Sequence, residues 1–441
     1  MTSNDTICAL SSAPGRAGIA VVRVSGPEAA RVLEALSGRL PEPRRATLRT
    51  ILDPATGMEI DRGIILLYPA PASFTGEDIV EFFLHGGRAV TASVLALLQG
   101  LGCRLAEPGE LARRAFENGK IDLTEAEGIA DLIDAETEAQ RRQAVAQAGG
   151  ALHRLYDAWR AELLDAMALT EAAIDFSDEG DVAAHVLQSA REIVAALSAR
   201  ISEHLADGRR GEILRDGFRV VLAGPPNVGK SSLLNALARR EAAIVSALPG
   251  TTRDVIEVRL DLEGLPVIVS DTAGIREADG EIEREGIRRT FAQGRAADLV
   301  LWVVDAVDPE LNVPEELHAG AVAVVPVWNK TDLTPLEDQP AGAVRVSAAT
   351  GEGIPVLVAL VAARARERIS PREGPVITQA RHRQSLEACA GELAELLSAD
   401  REPELAAEHL RRAALALGRI TGRVDAEEVL GRIFGRFCIG K

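Results

Sequence analysis

Phe218-Arg219-Val220-Val221-Leu222-Ala223-Gly224-Pro225-Pro226-Asn227-Val228-Gly229-Lys230-Ser231-Ser232 runs from an apolar strand through a glycine-bounded loop into a helix. The stretch fits the pattern GxxxxGK[ST] in the strand–loop–helix setting that the pattern requires. Glycines let successive backbone N–H groups converge on phosphate oxygens, and the helix N-terminus adds a favourable dipole. Lys230 is expected to reach the β- and γ-phosphates, and the Ser231 hydroxyl to bind Mg²⁺.

Three further motifs follow in order. Gly250-Thr251-Thr252-Arg253-Asp254 supplies a threonine that would complete the Mg²⁺ shell when a γ-phosphate is present. Asp271-Thr272-Ala273-Gly274 ends a strand over 267–270; its aspartate would hold Mg²⁺ through water, and the Gly274 amide would donate to the γ-phosphate. Asn329-Lys330-Thr331-Asp332 ends a strand over 322–328. Asp332 would accept from guanine N1–H and the exocyclic amine. Adenine has no donors there, and a site built on such pairing discriminates strongly. Ser347-Ala348-Ala349 offers a backbone N–H for guanine O6. NKxD alone is a weak signal; the ordered set points to GTP, and Asp332 argues against an ATPase.

Around these motifs the chain alternates strand, loop and helix. Strands are expected at 218–223, 255–262, 267–270, 299–304, 322–328 and 343–346. Such alternation implies an open sheet with helices on both faces. Before it, Leu152, Leu155, Tyr156, Trp159, Leu163, Met167 and Ile174 recur at three- and four-residue steps, one apolar helix face. A second helical run spans about 182–205. After it, Leu410, Ala413, Ala414, Leu417 and Ile420 share another face. The economical arrangement is one helical domain with the α/β domain inserted in it. The first 118 residues mix strands (19–24, 63–68, 79–84) with a helix at 89–99, an α/β or α+β domain.

Of 441 residues, 47% are hydrophobic and 26% charged, which is globular composition for two to four domains. The net charge of −17 is the wrong sign for a chain that grips phosphate backbones over its whole surface, though a local basic patch or a partner can still do so. The start lacks a charged segment followed by an apolar run, and no stretch is apolar enough to span a membrane. Cys8, Cys103, Cys389 and Cys438 are scattered without a CxxC pair and read as reduced thiols of a cytoplasmic protein.

Many GTPases place a water-orienting Gln directly after the DxxG glycine. Here that position is Ile275, which cannot orient water. Two residues are candidates to substitute: Glu283, to hold the water through a bridge, and Asn227, to direct its carbonyl at a cation beside the phosphates. Both are also readable as ordinary solvated residues.

The whole chain resembles the tRNA modification GTPase family called MnmE or TrmE. The resemblance rests on Gly224–Ser232, the GTTRD loop, DTAG followed by Ile275-Arg276-Glu277, and NKTD. It rests further on Glu77-Asp78 with His85-Gly86-Gly87, on Arg114-Ala115-Phe116 with Lys120, and on the ending Phe437-Cys438-Ile439-Gly440-Lys441. It implies an α/β multidomain fold: an N-terminal folate-binding and dimerisation domain (1–118), a helical domain in two parts (119–215 and 373–441), and a Ras-like G domain inserted between them (216–372). It implies a homodimer whose G domains meet across a potassium ion. Asn227 would ligate potassium by its side chain, and Ser246, Leu248 and Thr251 by carbonyls. Ala247 and Pro249 belong to the same nucleotide-binding loop. Ser231 and Thr252 would bind magnesium, and Glu283 would position the water. Potassium then stands in for an arginine finger, worth roughly 10³–10⁵ in rate. Pro249 departs from expectation, since it stiffens that loop and restricts Leu248.

The resemblance also assigns Arg23, Glu81, Lys120 and Lys441 to a formyl- or methylene-tetrahydrofolate-type one-carbon donor; without it they would read as surface ion pairs. The implied reaction is modification of carbon 5 of the wobble uridine of certain tRNAs, shared with a flavoprotein resembling the MnmG family. This chain carries no GxGxxG signature of its own. The alternative is a ribosome-assembly or regulatory switch GTPase, which would need neither the N-terminal domain nor the CxGK ending. Beyond residue 409, Arg411, Arg412, Arg419, Arg423, Arg432, Arg436 and Lys441 oppose only Asp425, Glu427 and Glu428. This basic tail is either a tRNA contact or a helix face balanced by neighbours.

Overall fold

The computed structural model describes residues 5–176, 180–240, 257–271, 297–309, 313–314, 322–334, 344–369, 374–398, 402–424, 427–435, 437 and 440. They fall into two compact units, one made of 1–130, 147–186 and 402–441, the other of 131–146 and 187–401.

The first unit begins with β1 (Ile7–Leu10), β2 (Ala17–Ser25), α1 (Ala29–Ser37), β3 (Thr47–Leu52), β4 (Glu59–Tyr68), β5 (Ile79–Gly86), α2 (Arg88–Gly100) and β6 (Arg104–Leu105). The sheet order is β3-β4-β5-β2-β1-β6, antiparallel except for β1 with β6. Strand alternation sends Val22, Val24, Ile65, Leu67, Phe82 and Leu84 into one core with α1 and α2. The register sets Arg23 opposite Glu81 and Ile64 opposite Phe83 on the other face.

Along the chain there follow α3 (Glu110–Glu117), α4 (Leu123–Asp134), α5 (Glu138–Ala148), α6 (Ala151–Asp175), α7 (Gly180–Leu205) and α8 (Arg210–Asp216), of which α8 and most of α5 and α7 belong to the second unit. Helix α6 buries Leu152, Tyr156, Trp159 and Leu163 as the spacing predicts. From there the buried stripe runs through Ala166, Thr170 and Ala173, while Met167 and Ile174 stay half-buried. Small residues permit close approach to the distant C-terminal helix that packs on α6, residues 403–421, which buries Ala407, Leu410, Ala413, Ala414 and Leu417. The α/β unit is therefore inserted between two helices that belong together.

The second unit carries β7 (Phe218–Ala223), α9 (Lys230–Arg240), β8 (Glu257–Leu262), β9 (Leu265–Asp271), β10 (Leu299–Asp305), β11 (Ala323–Asn329), β12 (Val344–Arg345) and α10 (Ile354–Ile369). Helices α11 (Ala380–Ser398), α12 (Pro403–Thr421) and α13 (Glu427–Phe434) complete the chain. The strand order is β12-β11-β10-β7-β9-β8, parallel except for the β8–β9 hairpin. Val220, Leu222 and Val303 pack beneath α9 and α10, whereas Val221, Trp302 and Trp328 form a second cluster on the opposite face. Burial on both faces explains why these strands read as continuous apolar runs. All the parallel strands end at one edge, where such folds bind ligands.

Candidate functional site

At that edge the loop 224–229 leaves β7 and turns into α9. Gly224 has φ +143°, and a Cβ there would stand 2.3 Å from the Val303 carbonyl oxygen. Only glycine allows the backbone so close to β10. Lys230 lies 7% exposed, and its ammonium donates to the carbonyls of Gly224 and Pro225 at 2.9 and 2.7 Å. The lysine is thus folded over the loop that it serves. Burial holds the ammonium below its usual range, and the Asp271 carboxylate offsets part of that shift.

Asp271 ends β9 beside β7 and is buried. Its Oδ2 accepts from the Ser231 hydroxyl at 2.5 Å. The two hard oxygen donors expected around Mg²⁺ therefore already stand together, a donor set that suits the ion.

Asn329 ends β11 and is almost wholly buried. It donates from Nδ2 to the Val228 carbonyl at 2.8 Å and accepts from the Ala348 N–H at 3.0 Å. One side chain thus ties the phosphate loop to the Ser347–Ala349 loop. In the Ser347–Ala349 stretch the Ser347 N–H donates to the Glu352 carbonyl and Ala348 to Asn329, whereas the Ala349 N–H makes no hydrogen bond with a described residue and Ala349 is exposed. Lys330, with φ +62°, donates to the Asn227 carbonyl at 2.9 Å and to Asp305 Oδ2 at 2.6 Å. Asp332 sits exposed in the turn Thr331–Leu333 and makes no hydrogen bond or ion pair with a described residue.

Asn227 is exposed, with φ +62°, and lines a cavity of about 220 Å³ with Pro225, Pro226, Val228, Asp305, Asp308 and Lys330. Ser232 is exposed on the first turn of α9. Ser246, Ala247, Leu248, Pro249, Gly250, Thr251, Thr252, Thr272, Ala273, Gly274, Glu283, Cys438 and Lys441 lie outside the described residues. Asp305 was not singled out by sequence. Its signal is its place at the end of β10, the same edge that carries Asp271 and Asn329.

In the first unit Arg23 and Glu81 form an ion pair at 2.7 Å on the outer sheet face, with side chains 33% and 13% exposed. Tyr68 shares that neighbourhood: its phenol is pushed up by burial first and by the Glu81 charge second. Two residues along β2, the Ser25 hydroxyl donates to Glu77 at 2.7 Å and lies 2.8 Å from the Thr75 hydroxyl. Glu77 in turn meets Arg114 at 3.2 Å. Arg114, 3% exposed, also binds Asp5 at 2.6 Å and Glu110 at 3.0 Å. Asn118 donates to the Thr75 carbonyl at 2.7 Å, and the Lys120 stem covers Gly76. Arg23 and Glu81 are thus brought into contact, while Lys120 is anchored on the turn that this buried network fixes. The network escaped sequence reading because its charges are far apart in the chain.

The C-terminal arginines are less free than their count suggests. Arg411 and Arg412 share Glu408 at 2.8 and 2.9 Å, and Arg423 pairs with Asp157 at 2.6 Å. Glu408 lies just outside the stretch beyond residue 409 and supplies the counter-charge.

A phosphate loop, an acid-tipped neighbouring strand and a buried NKxD asparagine at the C-terminal edge of one sheet define a P-loop GTPase domain. A family model described as the GTP-binding protein TrmE N-terminus matches residues 6–120, and the MnmE helical domain model matches 123–438. The tRNA modification GTPase MnmE of Parvibaculum lavamentivorans is 55% identical over 99% of this chain and 100% of its own length. That of Rhodopseudomonas palustris is 52% identical over 100% and 99%. The chain belongs to the MnmE family of tRNA modification GTPases and is by class a GTP hydrolase. Among solved structures, the G domain of the T. maritima FeoB iron transporter is 29% identical over 34% of this chain and 98% of that one, with a TM-score of 0.27. No described helix is long and apolar enough to cross a membrane.

Proposed function

We propose that this chain is a potassium-dependent GTPase that modifies carbon 5 of the wobble uridine, position 34, of certain tRNAs. It adds an aminomethyl-type group such as carboxymethylaminomethyl. It works in the cytoplasm as a homodimer with a flavoprotein of the MnmG type. The observation that carries this reading is identity above half with tRNA modification GTPases over essentially the full chain.

The described part of the site supports this reading. Ser231 and Asp271 gather oxygen donors for Mg²⁺, with Thr252 as the further ligand when GTP is bound. Lys230 would leave the carbonyls of Gly224 and Pro225 for the phosphates, exchanging neutral acceptors for charged ones. Asn227, exposed where it lines its cavity, would be the side-chain ligand for potassium, and Ser246, Leu248 and Thr251 would complete the shell. Bound there, the ion supplies positive charge beside the developing phosphate charge. Glu283 would orient the attacking water, taking the place that Ile275 cannot fill. Asp332 selects guanine and the Ala349 amide donates to O6.

Glu81, on the outer sheet face, would offer a carboxylate to a pterin ring; Arg23 beside it, together with Lys120 and Lys441, would offer cations to the tail of a tetrahydrofolate-type donor. Exposed Ile19, Leu48 and Ile64 on the same sheet leave apolar surface for a second copy to cover. Deleting the gene and measuring wobble uridines by mass spectrometry tests the whole reading. Loss of the 5-aminomethyl-type nucleoside is expected; an unchanged nucleoside profile would refute it.

A further inference from the structure

The β8–β9 hairpin is bracketed in sequence by two motifs to which the proposed function gives the Mg²⁺ and the γ-phosphate. Gly250–Asp254 comes just before β8, and Asp271, the first residue of DTAG, ends β9. The turn of the hairpin is tied to α5 of the same unit. The Ala139 N–H donates to the Gly264 carbonyl at 3.4 Å, and Arg259 of β8 reaches Glu136 at 3.2 Å. Gln140 stiffens the junction. Its Oε1 accepts from the amides of Glu136 and Thr137 at 3.0 and 3.1 Å, and its Nε2 donates to the Arg215 carbonyl at 2.9 Å. Gln143 Nε2 donates to the Gly211 carbonyl at 3.0 Å, and Arg215 closes the ring on Asp131 at 2.8 Å.

These links hold the start of α5 by directional polar contacts. Between them lies a cavity of about 250 Å³ whose walls include Asp134, Asp216, Arg219 and Glu257. A junction of directional bonds around a polar space can exchange partners at small cost, whereas a packed apolar seam cannot shift without opening voids. An antiparallel pair moves as one piece, since sliding a strand relative to its partner breaks the ladder.

We propose that α5 is the output arm of the nucleotide switch: the β8–β9 hairpin shifts when its two ends engage the γ-phosphate, and Arg259–Glu136 with Ala139–Gly264 carry the shift into α5. The hairpin is the lever and Gln140 fixes the angle at which α5 receives it. None of these residues touches the nucleotide, so the coupling is separable from hydrolysis.

Hydrogen exchange of the full-length protein tests this, comparing GDP with a non-hydrolysable GTP analogue in Mg²⁺ and K⁺. Amides 136–144 should exchange at different rates in the two states. Glu136→Arg and Arg259→Glu should each reduce that difference at least threefold, and the double swap should restore it. Basal GTP hydrolysis should stay within about twofold throughout, because the ion pair lies away from the motifs of the nucleotide site and, being partly exposed, contributes little to stability. Ala139→Pro removes the amide donor in the first helical turn, where proline is tolerated, and should act like the single reversals. Wild-type amides blind to the nucleotide, single variants that keep the full difference, or a swap that restores nothing would each overturn the proposal.

Discussion

Gly229 and Asn329 touch across the floor of the phosphate loop: a Cβ at position 229 would stand 2.4 Å from the Asn329 Nδ2. The asparagine of the base-recognition motif therefore props the loop that holds the phosphates. With φ +93° at Gly229, an alanine there meets both a strained backbone and a collision. Strain of this kind costs roughly 1–3 kcal/mol. Gly229→Ala should weaken GDP binding about 10- to 100-fold in titrations with a fluorescent analogue. Affinity within a factor of two would show that the loop yields.

Base selection rests on Asp332. Xanthine carries a carbonyl where guanine carries its exocyclic amine, so an amide side chain suits xanthine and leaves guanine's donors facing another donor. Asp332→Asn should lose GTP affinity about 10- to 100-fold, as expected for charge-assisted bonds, and prefer xanthosine triphosphate. Competition between the two nucleotides reads this directly; retained guanine preference would contradict it.

Lys230 predicts a pH dependence. Its pKa in the folded, empty protein is lowered by burial, and Asp271 offsets only part of that. Between the lowered value and the ordinary lysine range the unfolded chain binds more protons than the folded one, so this group's contribution to the stability of the empty protein rises with pH there. Phosphates reverse the preference and favour the ammonium. GDP binding should therefore take up protons in the alkaline range and weaken as pH climbs through it. Calorimetry in buffers of different ionisation heats measures the uptake; proton release on binding would rule the account out.

Potassium should matter for rate. In place of an arginine finger the ion is expected to supply a large share of a roughly 10³-fold acceleration. Hydrolysis in KCl should exceed that in NaCl at least tenfold, and Asn227→Ala should abolish the difference while GDP still binds. Equal rates in the two salts would remove Asn227 from this role.

Arg114 predicts stability. Removing a buried guanidinium that serves Asp5, Glu77 and Glu110 strands carboxylates, at a cost of about 3–5 kcal/mol. Arg114→Met should lower the melting transition of the first unit in scanning calorimetry and leave the GDP-sensitive transition in place.

What the sequence revealed follows physical lines. The phosphate loop and NKTD were legible because their chemistry lies within a few consecutive residues. Helix α6 was legible as far as Leu163, where large apolar residues mark the stripe. Past that point Ala166 and Ala173 do the burying, and alanine carries too little hydropathy to reveal a face. The Arg114 network was hidden, since Glu77 and Asp5 lie 37 and 109 positions away. The double engagement of Asn329 was hidden too, because it depends on two loops meeting beyond a strand end.

The pairing of α6 with α12 has a consequence for biosynthesis. The ribosome makes α6 long before the residues that cover it, with the whole GTPase sheet translated in between. At roughly 5–20 residues per second, the Tyr156 and Trp159 face of α6 waits about 10–50 s for its cover. During that interval it is a target for chaperones and proteases, and a message truncated before codon 403 would yield a nucleotide-binding sheet attached to a sticky, unfinished helix.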